Sequence, residues 1–203
     1  MELPSIIRDL GESLIAPRQV IQILIAERRG LTFGFFIVLL CSILVGATAT
    51  MVFISKLISF VPLGILSWIF GNVAILFGIA SFVILSIGYW LIGGLIIHIF
   101  CRLLKGNGLF EHTLVAFSYL WLPSFLIGLI APVLMFLDYL TSLGLFLLML
   151  CISFIWGVIL SVQALAEAHN FSVSKALLSM IAPILILIFI FATLFSLKIF
   201  VWW

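Results

Sequence analysis

Charge is what this sequence has least of. Seven acidic and nine basic side chains stand among 203 residues, 8% together, where a soluble domain carries about 25%. With 66% of residues hydrophobic and a mean hydropathy of +1.50, a water-soluble fold could not cover itself in polar side chains. A soluble enzyme and a disordered chain are excluded. A net charge of +2 spread so thinly builds no phosphate-binding face, which excludes nucleic acid as a partner. Cysteine is scarce as well. Cys41 and Cys151 fall inside apolar runs and Cys101 at the end of one, so small buried thiols rather than disulfides are expected. Two further features are missing: the early apolar core of a signal peptide, since about thirty mixed residues come first, and any Ser-His dyad, catalytic aspartate pair or zincin motif.

What is present is a set of long apolar runs. Gly30–Ser55, Thr113–Leu137, Tyr139–Ala166 and Ala176–Leu197 contain no Asp, Glu, Lys or Arg. Each is long enough, at about 1.5 Å per residue, to cross a hydrocarbon core of about 30 Å. They lack the alternation of barrel strands and are therefore expected to be helices. Leu57–Cys101 is also free of those charges, but Pro62 and the Gly71-Asn72 turn signal interrupt its first part. Leu57–Phe70 reads as an interfacial or partly embedded segment. The expected spans are about 31–54, 73–101, 110–137, 139–168 and 174–198.

The basic residues orient them. Five spans with a cytoplasmic amino terminus place Arg8, Arg18, Arg28, Arg29, Arg102, Lys105 and Lys175 inside and Lys56 and Lys198 outside, 7 to 2. A sixth span through Leu57–Phe70 would make the split 5 to 4. The positive-inside rule favours five, with the carboxyl terminus outside. Trp68 and Trp202-Trp203 suit an outer aromatic belt. The expected fold is thus all-α, with a 30–203 membrane domain preceded by an amphipathic segment, residues 1–29. In that segment Ile6, Ile7, Leu10 and Leu14 share a face with Arg8, Asp9 and Glu12 turned away. After Pro17 the period repeats in Val20, Ile21, Leu24 and Ile25. Such helices either lie in the membrane interface or cap the bundle from below.

Polar residues gather at the cytoplasmic ends. His98 and Cys101 lie three apart on one helical face; Glu111 and His112 open the third span; Glu167 and His169 close the fourth. Imidazole, thiolate and carboxylate form a ligand set for a zinc-type divalent ion, the one cofactor these residues suggest. The alternatives are a polar network locking helix ends and plain interfacial solvation. Gln163, one turn before Glu167, extends that face. Asp138 caps or solvates the outer turn between the third and fourth spans. Ser172 is placed to cap the fifth span, and Gly106-Asn107-Gly108 reverses the chain with glycines that accept positive φ. Ser153, Gly157, Ser161, Ala164 and Ala168 make a small-residue stripe along the fourth span, for close packing on an internal neighbour or a second copy. Pro123, Pro132 and Pro183 break or kink the third and fifth spans.

Two stretches carry a resemblance. One runs from His98 through Gly106-Asn107-Gly108 to Phe117-Ser118-Tyr119 and Leu122-Pro123. The other runs from Trp156-Gly157 through His169-Asn170-Phe171-Ser172-Val173-Ser174-Lys175-Ala176-Leu177 to Pro183. Over about residues 30–199 this resembles the Yip (Ypt/Rab-interacting protein) domain family. The resemblance implies a five-span domain with a cytoplasmic amino terminus and a non-enzymatic scaffold or adaptor role in organising membrane. The family's eukaryotic members act in vesicle traffic. Gly30-Leu31-Thr32-Phe33 stands where those members carry Asp-Leu-Tyr-Gly-Pro, which argues against a small GTPase as partner. The compact form resembles prokaryotic members, implying a cell-membrane location; a eukaryotic member would sit in Golgi or endoplasmic reticulum. The expected partners are the bilayer and a second copy or another membrane protein. A small transporter or channel with a cytoplasmic polar site is the competing reading.

Overall fold

The computed structural model describes the backbone of residues 3–59 and 65–201, and side-chain surroundings for 8–53, 71–134, 136–189 and 193. Every regular element among them is helical: α1 Leu3–Ser13, α2 Pro17–Ala26, α3 Gly30–Ser59, α4 Ile65–Leu103, α5 Phe110–Ser118, a 3-10 turn Leu122–Ser124, α6 Phe125–Phe136, α7 Tyr139–Ala168 and α8 Val173–Val201. Four segments are long and apolar enough to cross a membrane, Gly30–Phe53, Gly71–Leu103, Phe110–Leu134 and Tyr139–Ala168; a shorter apolar one is Val173–Phe189. Leu57–Ser59 continue α3 and Ile65–Phe70 continue α4. Pro62 and the side chains of Ile6, Ile7, Lys56, Trp68, Lys198 and Trp202-Trp203 lie outside the described residues.

Small residues set the packing. Glycines allow backbones to approach closely, which matters most where lipid supplies no hydrophobic drive between helices. A Cβ on Gly46 would sit 3.0 Å from Phe82, and one on Gly78 2.8 Å from Thr50, so α3 and α4 run antiparallel in close contact. Gly34 meets Ser118 and Gly128 meets Leu44, which lays α5 and α6 parallel to α3. A Cβ on Gly157 would press into the Leu120 carbonyl, which seats α7 on the break between α5 and α6.

That break is the third span's distinguishing feature. Pro123 cannot donate a backbone N–H, and the chain passes through a 3-10 turn before α6 resumes. Irregular backbone survives at membrane depth only where protein surrounds it. Thr113 through Leu120 are buried, and Ser153 of α7 donates to the Pro123 carbonyl at 3.3 Å. Trp90 of α4 donates its indole N–H to the Leu114 carbonyl at 2.8 Å. By contrast Pro132 and Pro183 remain inside α6 and α8.

Three helices finish alike, at the same end of the bundle. Arg28, Lys105 and Asn170 hold positive φ (53°, 66° and 51°) just beyond α2, α4 and α7. Each is followed by a residue whose N–H reaches back to the helix: Arg29 to Leu24, Gly106 to Cys101 and Phe171 to Ala166. These are Schellman closures with a side chain where glycine is usual. The positive φ therefore falls on Lys105 and not within Gly106-Asn107-Gly108, where it was expected. Those glycines serve proximity instead. A Cβ on Gly106 would lie 2.7 Å from His169 Nδ1, and one on Gly108 2.5 Å from the Ala168 carbonyl.

The amino-terminal helices are part of the core. Val20, Ile21 and Leu24 are at most 2% exposed and join the cluster that contains Phe33, Leu160 and Ala164. Asp9, expected to face away, is buried beside Ser13, whose hydroxyl meets the Tyr119 hydroxyl at 3.3 Å. The rest of α1 follows its period: Leu10 and Leu14 pack half-buried against the core, and Arg8 and Glu12 stay exposed. Cys41 and Cys101 are buried thiols; Cys151, expected to be buried, lies exposed on α7.

Candidate functional site

The polar residues at and beside the 103–110 and 168–173 turns sort into four groups. The central one is built around His169, fully buried at the end of α7. The Gly108 N–H donates to its Nδ1 at 3.2 Å, so the neutral ring carries its proton on Nε2. Nε2–H donates to Thr113 Oγ1 at 2.8 Å. Thr113 Oγ1 also lies 2.8 Å from His98 Nδ1, and its hydroxyl reaches the Leu109 carbonyl at 3.3 Å. The result is a hydrogen-bonded chain from a loop amide through two imidazoles and a hydroxyl. It joins α4, α5 and α7, while Asn107 N–H binds the His169 carbonyl at 3.2 Å. Aromatic rings close it in: Phe110 stands edge-on to His98 with centroids 5.6 Å apart, and Phe171 lies 5.5 Å from His169. Burial lowers the His169 pKa to about 4, helped by the nearby His98, His112 and Arg102 charges.

The other candidate ligands go elsewhere. Cys101 meets Ser179 of α8, although it lies one turn from His98. Glu111 and His112 pair with each other at 3.6 Å, and His112 Nδ1 accepts the Leu109 N–H at 3.4 Å. Glu167 accepts a hydrogen bond from Gln22 of α2, which pins the amino-terminal helix to α7. Of the six candidate metal ligands, His98 and His169 share one group, with a hydroxyl between them, and Glu111 and His112 another. Among the described residues no three His, Cys, Asp or Glu side chains come together to hold a metal ion. Thr113, the hub, has no titratable group, and a search for acids, thiols and imidazoles passes over it. Its one sequence signal is its place in the first turn of α5, after the glycine-rich reversal.

The small-residue stripe faces inward. Ser153, Gly157, Ser161, Ala164 and Ala168 are all buried, with Ser153 and Gly157 against the Leu120–Pro123 break. At the opposite end, Asp138 accepts the Thr141 N–H at 3.1 Å and caps α7, which holds its carboxyl below the usual range.

The architecture and the two turn sequences coincide with a known pattern. The Yip1 domain matches residues 11–194. The chain belongs to the Yip1 domain family. The match starts inside α1 and takes in all of α2, in keeping with the burial of α2 against α7. No curated protein and no solved structure matches the chain. As a Yip1 domain with several membrane-crossing helices, it is a multi-pass membrane protein.

Proposed function

We propose that this Yip1-family protein is a non-enzymatic membrane scaffold or adaptor. In this reading five helices cross the bilayer, the amino terminus is cytoplasmic and the carboxyl terminus is outside, in the cell membrane of a prokaryote. The observation that carries it is where the polar groups go. His98, Thr113 and His169 tie helix ends together, and Glu167 ties α2 to α7. Deeper hydroxyls return to their own helices, Thr48 to the Leu44 carbonyl and Thr50 to Gly46. Neither arrangement supplies a route for a solute. The outward face of α1 and α2 remains for a partner, a second copy or another membrane protein. Ile15, in the turn between them, is 88% exposed, and Arg18, Gln19 and Ile23 of α2 are exposed after it.

A photo-crosslinker at Ile15 or Ile23 in intact membranes should give a discrete adduct of defined mass, and one at buried Ile21 none. Equal, diffuse labelling at all three positions would sink the adaptor reading. Orientation is tested separately. A membrane-impermeant maleimide on intact cells should label Thr141→Cys and spare Gln19→Cys; the reverse pattern would invert the topology. The second reading, a small transporter, draws on the unbroken hydrogen-bond chain from His98 within α4 to His169 at the bundle end. Proton or cation flux into liposomes that disappears with His98→Ala would establish that reading against the scaffold.

A further inference from the structure

Two cavities lie side by side on one flank of the bundle. One, of about 540 Å³, runs between α4 and α8 and is lined by Ile97, Phe100, Met180, Ile181 and Leu187 among others. The second, of about 410 Å³, continues along α4 past Phe82 and Leu150. They share Tyr89, Leu120 and Phe154, so they form one groove. From Phe82 to Phe100 it follows α4 for about 27 Å, nearly the thickness of a hydrocarbon core. Among the described residues no charged side chain lines it. It opens sideways, where Phe154, Ile184 and Leu187 are more than half exposed, into the space that lipid tails occupy.

The groove's mouth is cationic. The Lys175 ammonium donates to the Leu104 carbonyl at 3.4 Å, which fixes it at the α4–α8 seam, and Lys105 is the next residue along. Both are exposed. Helix rise separates Lys175 from Met180 by about 7.5 Å along α8, and Lys105 lies two residues past the end of α4. The polar layer on each side of a bilayer, half the difference between its full thickness and its hydrocarbon core, is about 5–8 Å deep. A headgroup at the lysines therefore places its acyl chain at the start of the groove.

We propose that this flank is a binding site for an anionic phospholipid. One tail lies along α4 between Phe100 and Tyr89, and the phosphate pairs with Lys105 and Lys175. The apolar walls accept any tail, and the two ammonium groups select the negative headgroup over a zwitterionic one. The inference requires only that the chain sits in a bilayer, so it stands or falls independently of the adaptor role.

Native mass spectrometry of the full chain tests it, after exchange into an equimolar mixture of phosphatidylglycerol and phosphatidylcholine and a detergent wash. The wild type should keep one phosphatidylglycerol. Lys105→Asn with Lys175→Gln should lower that preference about tenfold or more, leaving total lipid unchanged, since each lysine near a membrane surface is worth about 1 kcal/mol. Asparagine tolerates the positive φ at position 105, and glutamine can still donate to the Leu104 carbonyl. Ile181→Trp and, separately, Ile184→Trp should displace both lipids while circular dichroism reports an intact fold. Three results would overturn the proposal: no lipid retained by the wild type, phosphatidylglycerol retained equally by the double variant, or a lipid-free dimer whose second copy covers the groove.

Discussion

At the scale of single residues, His169 concentrates the consequences. It accepts from Gly108, donates to Thr113 and is wholly enclosed. His169→Phe keeps most of the volume, strands the Gly108 N–H in an apolar setting and takes one partner from Thr113, whose hydroxyl keeps His98 and the Leu109 carbonyl. A buried polar group left unpaired costs about 1–3 kcal/mol, so this change should lower stability by about that much. Glu111→Gln, at an exposed side chain in the first turn of α5, is a control expected within about 0.5 kcal/mol. Thermal melting in detergent distinguishes the two. The acid response follows from the same ring. Its pKa drops from 6.5 in the unfolded chain to about 4 in the fold. As pH falls the unfolded state takes up the proton first, so the folded state loses stability between about 6.5 and about 4, with no further loss from this group below. Melting temperature measured across that range should slope downward toward acid, and His169→Phe should flatten the slope.

At the scale of elements, close approach and helix closure decide the outcome. Gly157→Ala would drive a Cβ against the Leu120 backbone, onto its carbonyl oxygen and 3.0 Å from its carbonyl carbon. Backbone cannot yield as a side-chain tip can, so α7 must move off the α5–α6 break. A loss of about 1–3 kcal/mol is expected, read as a lower melting temperature. Arg28→Gly works the other way. It relieves the left-handed conformation at the α2 closure and should stabilise by about 1 kcal/mol; no gain would mean that the exposed guanidinium offsets the strain. Much at this scale was legible in the sequence. Charge-free runs located the long helices, Pro123 marked the broken one and Asp138 its neighbour's cap. The burial of Asp9 was not legible, because the period of α1 assumes an apolar neighbour, and next to Asp9 the neighbour of Ser13 is the Tyr119 hydroxyl. The site was half legible. His98 and His169 meet through Thr113, but equal helical spacing did not reveal that hydroxyl, nor that Cys101 turns to Ser179 and Glu167 to Gln22. Those choices depend on which helices become neighbours, and local period carries no record of that.

At the scale of the whole molecule, the question is whether the amino-terminal helices are appendage or structure. An interfacial anchor would turn its apolar face to lipid, and its removal would leave the bundle intact. Here Val20, Ile21 and Leu24 pack on Phe33 and α7, the Gln22–Glu167 bond fixes the docking, and the family match already includes them. Leu24→Ala should therefore cost about 2–5 kcal/mol through lost burial and the cavity left behind. Ile15→Ala, at a side chain 88% exposed, should cost little. Deleting residues 1–29 uncovers the same surface on α3 and α7 and should lower both membrane yield and melting temperature. A truncated chain that melts with the wild type would show that the bundle closes without α2. The buried face of that helix would then contribute to partner binding rather than to the fold.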